Sequence, residues 1–457
     1  MTTDQISLEA KERQRADAAG QSHVFDHWEA LHDNARARLL GQLQEVDYDL
    51  MARLAASLSK DAGEEAAPQL EPPVLFRLAD NASAAAVQAR TRGSELLDAG
   101  RVGFMIVAGG QGSRLGFEGP KGCYPIGPVT DRSLFAYHAA RIQAAGMRHG
   151  FTPTWYVMTS PLNDADTRAF FEANAHFGLG ATNVFFFSQA MLPAMDLDGN
   201  LLLSEPDALF LAPNGHGGSL AALSSSGALE HMRERGIDTI SYFQVDNPLA
   251  RPADVLFLGL HAEAQAGMSS KVVAKRGPAE KVGVIGRVNG ALGCIEYSDL
   301  SDELREAKDA SGELLFRAGN IAVHALDVAF VEELNQSGEL DLPWHIARKR
   351  MQVLGADGTR TEVEGAKFET FVFDALAKSP TSVTLEVDRA EEFSPVKNKD
   401  GVDSAESCRV DLQRVFVGLA GDLGSTLEVS PAYAETAEEF AARAGDPDPH
   451  SGGLVFG

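Results

Sequence analysis

RVGFMIVAGGQGSRLG, residues 101–116, decides how the rest of the chain is read. Its first half is a short apolar run, and its second half is broken by Gly109, Gly110 and Gly112. An apolar run of that length, stopped by glycines, is the pattern of a parallel strand buried on both faces as it enters a loop. Similar runs recur at TWYVMTS (154–160), NVFFFSQ (183–189), TISYFQVD (239–246), SSKVVAK (269–275) and GCIEYS (293–298). Segments of helical spacing separate many of them, among them SLFAYHAARIQAAG (133–146) and DADTRAFFEANAHFG (164–178). Strands alternating with helices predict an α/β fold with a mainly parallel sheet and helices on both faces. Ligands bind such sheets beyond the C-terminal ends of the strands, so chemistry is sought in the loops that follow them.

The loop Gly109-Gly110-Gln111-Gly112-Ser113-Arg114-Leu115-Gly116 is one of these. Glycines permit positive φ and let backbone N–H groups approach a phosphate closely. A tight structural turn would use the same residues. The loop does not end in Gly-Lys-Ser/Thr, so it is not a P-loop. The dinucleotide fingerprint also fails: after Gly110 and Gly112 the next glycine is Gly116, one position too late, which argues against a nicotinamide oxidoreductase. Arg114 lies within the loop and Lys121 follows it in Gly119-Pro120-Lys121-Gly122. Two such cations can grip a polyphosphate from two sides.

The chain has 457 residues, long enough for two to four domains with a large core. With 44% apolar and 23% charged residues it has ordinary globular proportions, which excludes disordered, collagen-like and coiled-coil classes. Forty Lys plus Arg against 65 Asp plus Glu leave a net charge of −25. So acidic a chain repels nucleic acid and anionic lipid, although a local basic pocket suffices for a small phosphorylated ligand. Cys123, Cys294 and Cys408 lie too far apart for a zinc spacing or a disulfide framework, and are expected as reduced thiols of a cytoplasmic protein. The polar N-terminus does not resemble a signal peptide, and no stretch reaches 18 consecutive apolar residues.

Three segments are expected. Residues 1–97 form an N-terminal helical region, 98–379 the α/β domain that carries the glycine-rich loop, and 380–457 a small C-terminal domain and tail. Residues 1–20 read as a polar, partly helical arm, and Asp26 to about Leu58 as two helices. Residues 61–73 read as a linker, and 81–98 as a further helix. In the C-terminal segment, TSVTLEVDR and CRVDLQRVFVG read as strands, followed by an acidic helix and a loose tail. Arg348-Lys349-Arg350 reads as a solvated helix face, His324 as a packed histidine, and Phe185-Phe186-Phe187 as core strand.

VAGGQGSRLGFEGPKGCYPIG resembles the signature of eukaryotic-type UDP-sugar pyrophosphorylases, most of all the UDP-N-acetylglucosamine pyrophosphorylases. The resemblance continues in order through FFFSQAMLPAMDLDG (185–199), LAPNGHGGSLAAL (211–223), YFQVDNPLARPADVLFLG (242–259) and SSKVVAKRGPAEKVGVIGRVNG (269–290). It extends through CIEYSDLS (294–301), LFRAGNIAVHAL (315–326), GAKFETFVFDAL (365–376) and EEFSPVKNKDG (391–401). Residues 100–400 are covered, and ordered motifs at plausible spacing are far more specific than any one alone. The implied fold is Rossmann-like, of the nucleotide-diphospho-sugar transferase type.

The implied reaction takes UTP and a sugar 1-phosphate to a UDP-sugar and pyrophosphate, with Mg2+ or Mn2+ as cofactor and no protein nucleophile. By this resemblance the backbone of Val107, Ala108, Gly109 and Gly110 holds the uracil and ribose, and Arg114 faces the phosphates. Lys121 neutralises the leaving pyrophosphate. Gln189 and Gly215 read the uracil edge, which an amide suits because it both donates and accepts. Asp246, at the end of an apolar run, ligands the metal; without the resemblance it would read as a helix N-cap. Glu296 and Asn320 bind sugar hydroxyls; Lys367 and Lys397 contact phosphates. Lys397 sits in the expected C-terminal domain, so a closing motion would bring it to the site. The partners are these small molecules, with neither nucleic acid nor membrane, in a monomer or weak homo-oligomer.

One motif divides the family. Asn214-Gly215-His216-Gly217-Gly218 departs from the Asp-Gly-Asn-Gly-Gly of the N-acetylglucosamine branch and has the Gly-His-Gly core of UDP-glucose pyrophosphorylases. Arg114 and the Met191–Met195 segment match the N-acetylglucosamine branch. N-acetylglucosamine 1-phosphate therefore comes first, with glucose 1-phosphate or a broader range of sugar 1-phosphates as the alternative. A non-catalytic nucleotide-sugar sensor is the alternative of a different class; the retained Arg114, Lys121, Asp246 and Lys397 speak against it.

Overall fold

The structure is a computed structural model that describes residues 3–58, 68–443, 447–450 and 452–457. Residues 61–67 of the expected linker lie outside this range. In chain order the main elements begin with helices α1 (Thr3–Ala18), α2 (Asp33–Gln44), α3 (Tyr48–Leu58) and α4 (Ala84–Asp98). Strand β1 (Val102–Val107), α5 (Leu134–His149), β2 (Thr154–Thr159), α6 (Asp164–Ala173) and β3 (Val184–Ser188) follow. Then come β4 (Thr239–Gln244), α7 (Val255–Glu263), β5 (Met268–Ala274) and β6 (Ala318–Asp327). The last are β7 (His345–Leu354), β8 (Arg360–Glu369), β9 (Thr384–Val387) and α8 (Ala405–Ala420).

The chain divides into two compact units. Met1–Ala67, Ala190–Gly218 and Leu342–Val372 form the smaller, and Pro68–Gln189, Ser219–Asp341 and Phe373–Gly457 the larger. These units follow packing rather than chain order. The expected domains 1–97, 98–379 and 380–457 are a division by independent folding, which is a separate property.

The larger unit holds the central sheet, in the order Leu75–Phe76, β9, β5, β6, β4, β1, β2, β3. β1 is parallel to β2 and β4, and β2 to β3. β6 alone on this path is antiparallel, to β4 on one side and β5 on the other. The sheet is thus mixed but mainly parallel, as the strand–helix alternation predicts. Every residue of β1 and β2 is buried, which is why these strands read as unbroken apolar runs rather than alternating ones. Phe104, Ile106, Trp155, Val157 and Phe243 join one core with α5 and α8 residues. Full burial of such a side chain contributes roughly 1.5–3 kcal/mol. Against that background Lys271, wholly buried in β5, stands out.

Three expectations for the C-terminal third are corrected. CRVDLQRVFVG is part of helix α8, not a strand. Its valines suggested a strand, but its buried positions Cys408, Leu412 and Phe416 recur every four residues, and Ser404 caps its start. TSVTLEVDR does form a strand, β9, but it lies in the central sheet beside β5. The expected loose tail contains a strand, Gly453–Phe456, which pairs with Leu427–Val429 and Asp448–His450.

In the smaller unit the N-terminal helices bury their apolar faces. Leu39, Leu40, Leu43, Met51, Leu54 and Leu58 share a core with Met195, Leu201, Leu209, Ala366 and Phe368. β7 and β8 form an antiparallel ladder, to which Met195–Asp196 adds an edge. Arg348-Lys349-Arg350 therefore lies on a strand, not on the expected helix. The cue was Met351-Gln352-Val353, in which buried and exposed residues alternate with period two.

Candidate active site

Because β1, β2 and β4 are parallel neighbours, their C-terminal ends lie along one edge of the sheet. The glycine-rich loop leaves β1 there and is held by the loop after β2. Ser160 Oγ donates to the Gly109 carbonyl (2.8 Å), and Asn163 Nδ2 donates to the carbonyls of Ala108 (2.9 Å) and Gly110 (3.3 Å). Three successive carbonyls are thus occupied by protein donors. The Ala108 N–H is itself donated to the Met158 carbonyl (2.8 Å), so what this part of the loop offers an anionic ligand is the N–H groups of Gly109 and Gly110. Ser160 and Asn163 were missed in the sequence. The signal was there in Thr159-Ser160-Pro161-Leu162-Asn163, small polar residues immediately after a strand.

Gln189, buried at the end of β3, is placed against this loop. A Cβ on Gly109 would stand only 3.0 Å from Gln189 Nε2. Glycine at 109 is therefore what allows the amide and the loop backbone to approach. Val107 and Ala108, the last residues before the loop, are buried.

Past the loop, Lys121 N donates to the Gly110 carbonyl (3.0 Å), which fixes where its side chain begins. Lys121 Nζ lies 3.2 Å from Asp246 Oδ2. Asp246 follows β4, as the apolar run ISYFQV predicts, and it caps no helix; that role at α7 belongs to Asp254. Val396 N donates to the Asp246 carbonyl (2.8 Å), so the residue preceding Lys397 is bonded directly to Asp246. Lys397 is exposed, with Nζ 5.9 Å from the Phe393 ring. The closing motion expected for Lys397 assumed that it lies apart from Asp246. It does not, and both belong to the larger unit. Arg114 is exposed, as is Lys399, whose Cε lies 4.0 Å from where a Gly116 Cβ would be. Lys399 is a further cation beside the loop that the sequence reading did not single out.

Glu296 and Asn320 both lie beside Gly283. A Cβ on Gly283 would meet Cys294 Sγ at 2.8 Å and Glu296 Oε1 at 3.6 Å, and Asn320 N donates to the Gly283 carbonyl (2.9 Å). Asn320 Oδ1 also accepts from Ala322 N (2.9 Å) across a kink at which Ala322 has φ +53.

Gly215, His216 and Lys367 belong to the smaller unit. Gly215 has φ +81, and a Cβ there would lie 2.4 Å from the Thr370 carbonyl oxygen. The loop 214–217 is zipped to the chain after β8: Thr370 N donates to Asn214 O and Gly217 N to Thr370 O, both at 2.8 Å. Val372 N donates to His216 Nδ1 (3.1 Å). Lys367 Nζ sits over the Phe210 ring at 5.1 Å; burial, then the charge of Lys349, lowers its pKa.

The remaining candidates behave as packing. His324 is buried with Nδ1 2.9 Å from Ser270 Oγ, and Phe185–Phe187 lie in β3. Burial pushes the thiols of Cys123 and Cys408 up to about 12, and that of Cys294 higher still, so none is a ready nucleophile. Among the described residues no group of three or more His, Cys, Asp or Glu side chains is placed to hold a metal. No helix among them is long and apolar enough to cross a membrane.

A family model described as UTP–glucose-1-phosphate uridylyltransferase matches residues 77–418. The UDP-N-acetylhexosamine pyrophosphorylase-like protein 1 of Xenopus tropicalis is 37% identical over 409 residues, covering 86% of this chain and 80% of that protein. The UDP-N-acetylglucosamine pyrophosphorylase of Saccharomyces cerevisiae is 35% identical over 435 residues, covering 90% of this chain and 91% of its own. The solved uridine diphosphate N-acetylglucosamine pyrophosphorylase of Trypanosoma brucei, in complex with an inhibitor, matches with a TM-score of 0.80 at 28% identity, covering 96% and 94% of the two chains. A UDP-glucose phosphorylase of the same organism shares the fold at a TM-score of 0.62 and 16% identity, over 89% of this chain and 86% of that one.

Proposed function

The chain belongs to the UTP–glucose-1-phosphate uridylyltransferase family, and from that premise we propose that it transfers the uridylyl group of UTP to a sugar 1-phosphate. A phosphate oxygen of the sugar attacks the α-phosphorus of UTP. The bond from that phosphorus to the bridging oxygen of the β-phosphate breaks, and pyrophosphate leaves with a UDP-sugar remaining. N-acetylglucosamine 1-phosphate is the substrate favoured here, because the yeast relative is named for that sugar and Arg114 and Met191–Met195 match that branch. Glucose 1-phosphate is the runner-up, on the Gly215-His216-Gly217 core.

The observation that carries the reading is the Lys121–Asp246 pair at the foot of the glycine-rich loop, with the Lys397 segment bonded to Asp246. Both substrates are polyanions, so catalysis is positioning and charge neutralisation. The Gly109 and Gly110 N–H groups hold the nucleotide, with Gln189 reading the uracil edge. Arg114 and Lys121 balance the charge of the triphosphate and of the departing pyrophosphate. Lys397 serves the phosphates; Glu296 and Asn320 serve the sugar hydroxyls. Asp246 is a single carboxylate, 18% exposed, beside one cation. That suits a magnesium ion that arrives with phosphate oxygens, since magnesium is commonly bound by one or two carboxylates together with substrate phosphates. When bound, the ion neutralises phosphate charge.

The test is pyrophosphate release from UTP and magnesium with N-acetylglucosamine 1-phosphate, glucose 1-phosphate or N-acetylgalactosamine 1-phosphate. Faster turnover of the N-acetylated sugars supports the full proposal. Preference for glucose 1-phosphate keeps the reaction and changes the sugar. UTP binding with no release from any of them overturns the catalytic reading in favour of a sensor.

A further inference from the structure

Lys271 is wholly buried in β5, with Nζ 2.6 Å from Asp254 Oδ2 and 2.6 Å from Glu392 Oε2. Its aliphatic stem leads past Phe257, whose ring centroid is 5.6 Å from Nζ. Burial opposes its charge, yet the two carboxylates hold the ammonium above its ordinary range. A buried charge cluster is a poor route to stability, because apolar side chains of the same volume often serve as well or better. Its geometry suggests what else it does.

Asp254 is already spent as the cap of α7, accepting from Leu256 N at 2.9 Å. Glu392 is the second partner, buried at the end of a four-residue helix, Arg389–Glu392, just before the Lys397 segment. The backbone of Glu392 is joined to the turn that follows β4: Asn247 Nδ2 donates to its carbonyl at 2.7 Å. Asn247 Oδ1 then accepts from Ser394 N at 3.1 Å, and Val396 N donates to the Asp246 carbonyl at 2.8 Å. From Lys271 an unbroken series of bonds therefore runs through Glu392 to Asn247, and residues 394–396 are sewn to residues 246–247.

We infer that Lys271 is a positioning residue for the transfer reaction: by anchoring Glu392 in the core it sets the placement of Lys397 relative to Asp246. The inference rests on the roles given to Asp246 and Lys397 above. Asparagine at 247 and glutamate at 392 are parts of the same device. A displacement of about 1 Å at a reacting centre can cost a factor of about 10² in rate, so Lys271 acts on turnover without touching substrate.

The test is a neutralised triple variant, Asp254→Asn, Lys271→Met and Glu392→Met, which leaves no unpaired buried charge among the three and keeps a side-chain cap on α7. The expected result is a folded enzyme whose kcat falls about tenfold to a hundredfold while KM for UTP changes less than threefold. Purely structural glue would move the melting temperature and leave kcat unchanged in the folded fraction, and that result overturns the inference. Glu392→Met decides if the triple variant does not fold. It cuts the bond from Lys271 while the ammonium keeps Asp254 as its counter-charge, and wild-type kcat in this variant also overturns the inference. Asp246→Asn and Lys397→Ala are assayed alongside. If either turns over normally, the site reading is at fault. If both lose turnover while the triple variant keeps it, only the role of Lys271 is wrong.

Discussion

Lys121 and Asp246, 125 residues apart in sequence, meet side chain to side chain at 3.2 Å between the ends of β1 and β4. Each is less than one-fifth exposed, so the pair is neither buried deeply enough to be expensive nor tight enough to be an important staple. In the proposed reaction it sets one positive and one negative group at the foot of the glycine-rich loop. Asp246→Asn and Lys121→Met are expected to lower kcat by roughly 10²–10³-fold, as loss of preorganised electrostatic groups does. Their melting temperatures should stay within a few degrees of wild type. The two variants should then separate by metal: Asp246→Asn should need more magnesium for half-maximal rate, and Lys121→Met should not. Pyrophosphate release across a magnesium series checks both, and an unchanged magnesium requirement in Asp246→Asn counts against the metal role.

The same edge of the sheet is held from beneath by His138, and this makes stability depend on pH. His138 is buried, with Nε2 3.1 Å from the Val245 carbonyl and Nδ1 without a partner among the described residues. Burial, offset only in part by that hydrogen bond, lowers its imidazole to about 4. His261, buried beside Ser269 Oγ at 2.9 Å, is lowered by burial to about 4 as well. With a folded pKa below the unfolded value, the unfolded chain binds the proton first as the pH falls. The stability each neutral ring contributes is therefore complete above about pH 6.5 and lost progressively as the pH falls toward 4. Each histidine can account for about 3 kcal/mol over that window. Urea unfolding at a series of pH values is expected to show the decline, and His138→Asn should have a shallower slope by about one proton. Equal slopes in wild type and variant would remove His138 from this account.

At Gly109 the test is steric. A methyl group there would come within 3.0 Å of Gln189 Nε2, the far end of a flexible side chain, so the fold can yield. The amide that yields is the one assigned to the uracil edge. Gly109→Ala is expected to melt near the wild-type temperature and to raise KM for UTP about tenfold, or about 1.4 kcal/mol. Gln189→Ala should do the same, and the double variant should be little worse than either single one, because both remove one interaction. Additive losses would mean that the glycine and the amide serve UTP separately.

Much of this site was legible because buried parallel strands write themselves as apolar runs. The runs at 101–110 and 239–246 put the loop containing Arg114 and Asp246 at strand ends, and both are there. The cations of the glycine-rich loop supplied Lys121, and the order of motifs supplied Gln189 and Lys397, residues that no local rule distinguishes from surface polar groups. What was not legible depends on partners distant in the chain. Nothing in SSKVVAK tells that Lys271 is buried, because its partner Glu392 lies 121 residues away. The helix α8 was misread because Val410, Val415 and Val417 favour strand locally, while the burial of Cys408, Leu412 and Phe416 is decided by tertiary packing. Nor could the sequence show that Ala190–Gly218 and Leu342–Val372 share a unit with the N-terminal helices, since that follows from a common core.

His216 is where sequence likeness and geometry pull apart, and it yields the last prediction. As a motif residue it pointed toward glucose. In the structure its Nδ1 accepts the Val372 N–H at 3.1 Å and its ring lies 5.3 Å from that of Phe371, so it fastens the glycine loop to the chain after β8. Gly215 beside it, at φ +81 and 2.4 Å from the Thr370 oxygen for any added Cβ, belongs to the same fastening. Gly215→Ala should be the more damaging change: the left-handed backbone alone costs roughly 1–2 kcal/mol, and the contact with Thr370 adds to it. His216→Asn forfeits the hydrogen bond from Val372 N, about 0.5–1.5 kcal/mol of stability. If its role is to fasten the loop, the ratio of kcat/KM for N-acetylglucosamine 1-phosphate over glucose 1-phosphate should change by less than threefold. Thermal melts and the two sugar assays measure both halves. A tenfold or larger swing in that ratio, with stability intact, would return His216 to the role of reading the sugar.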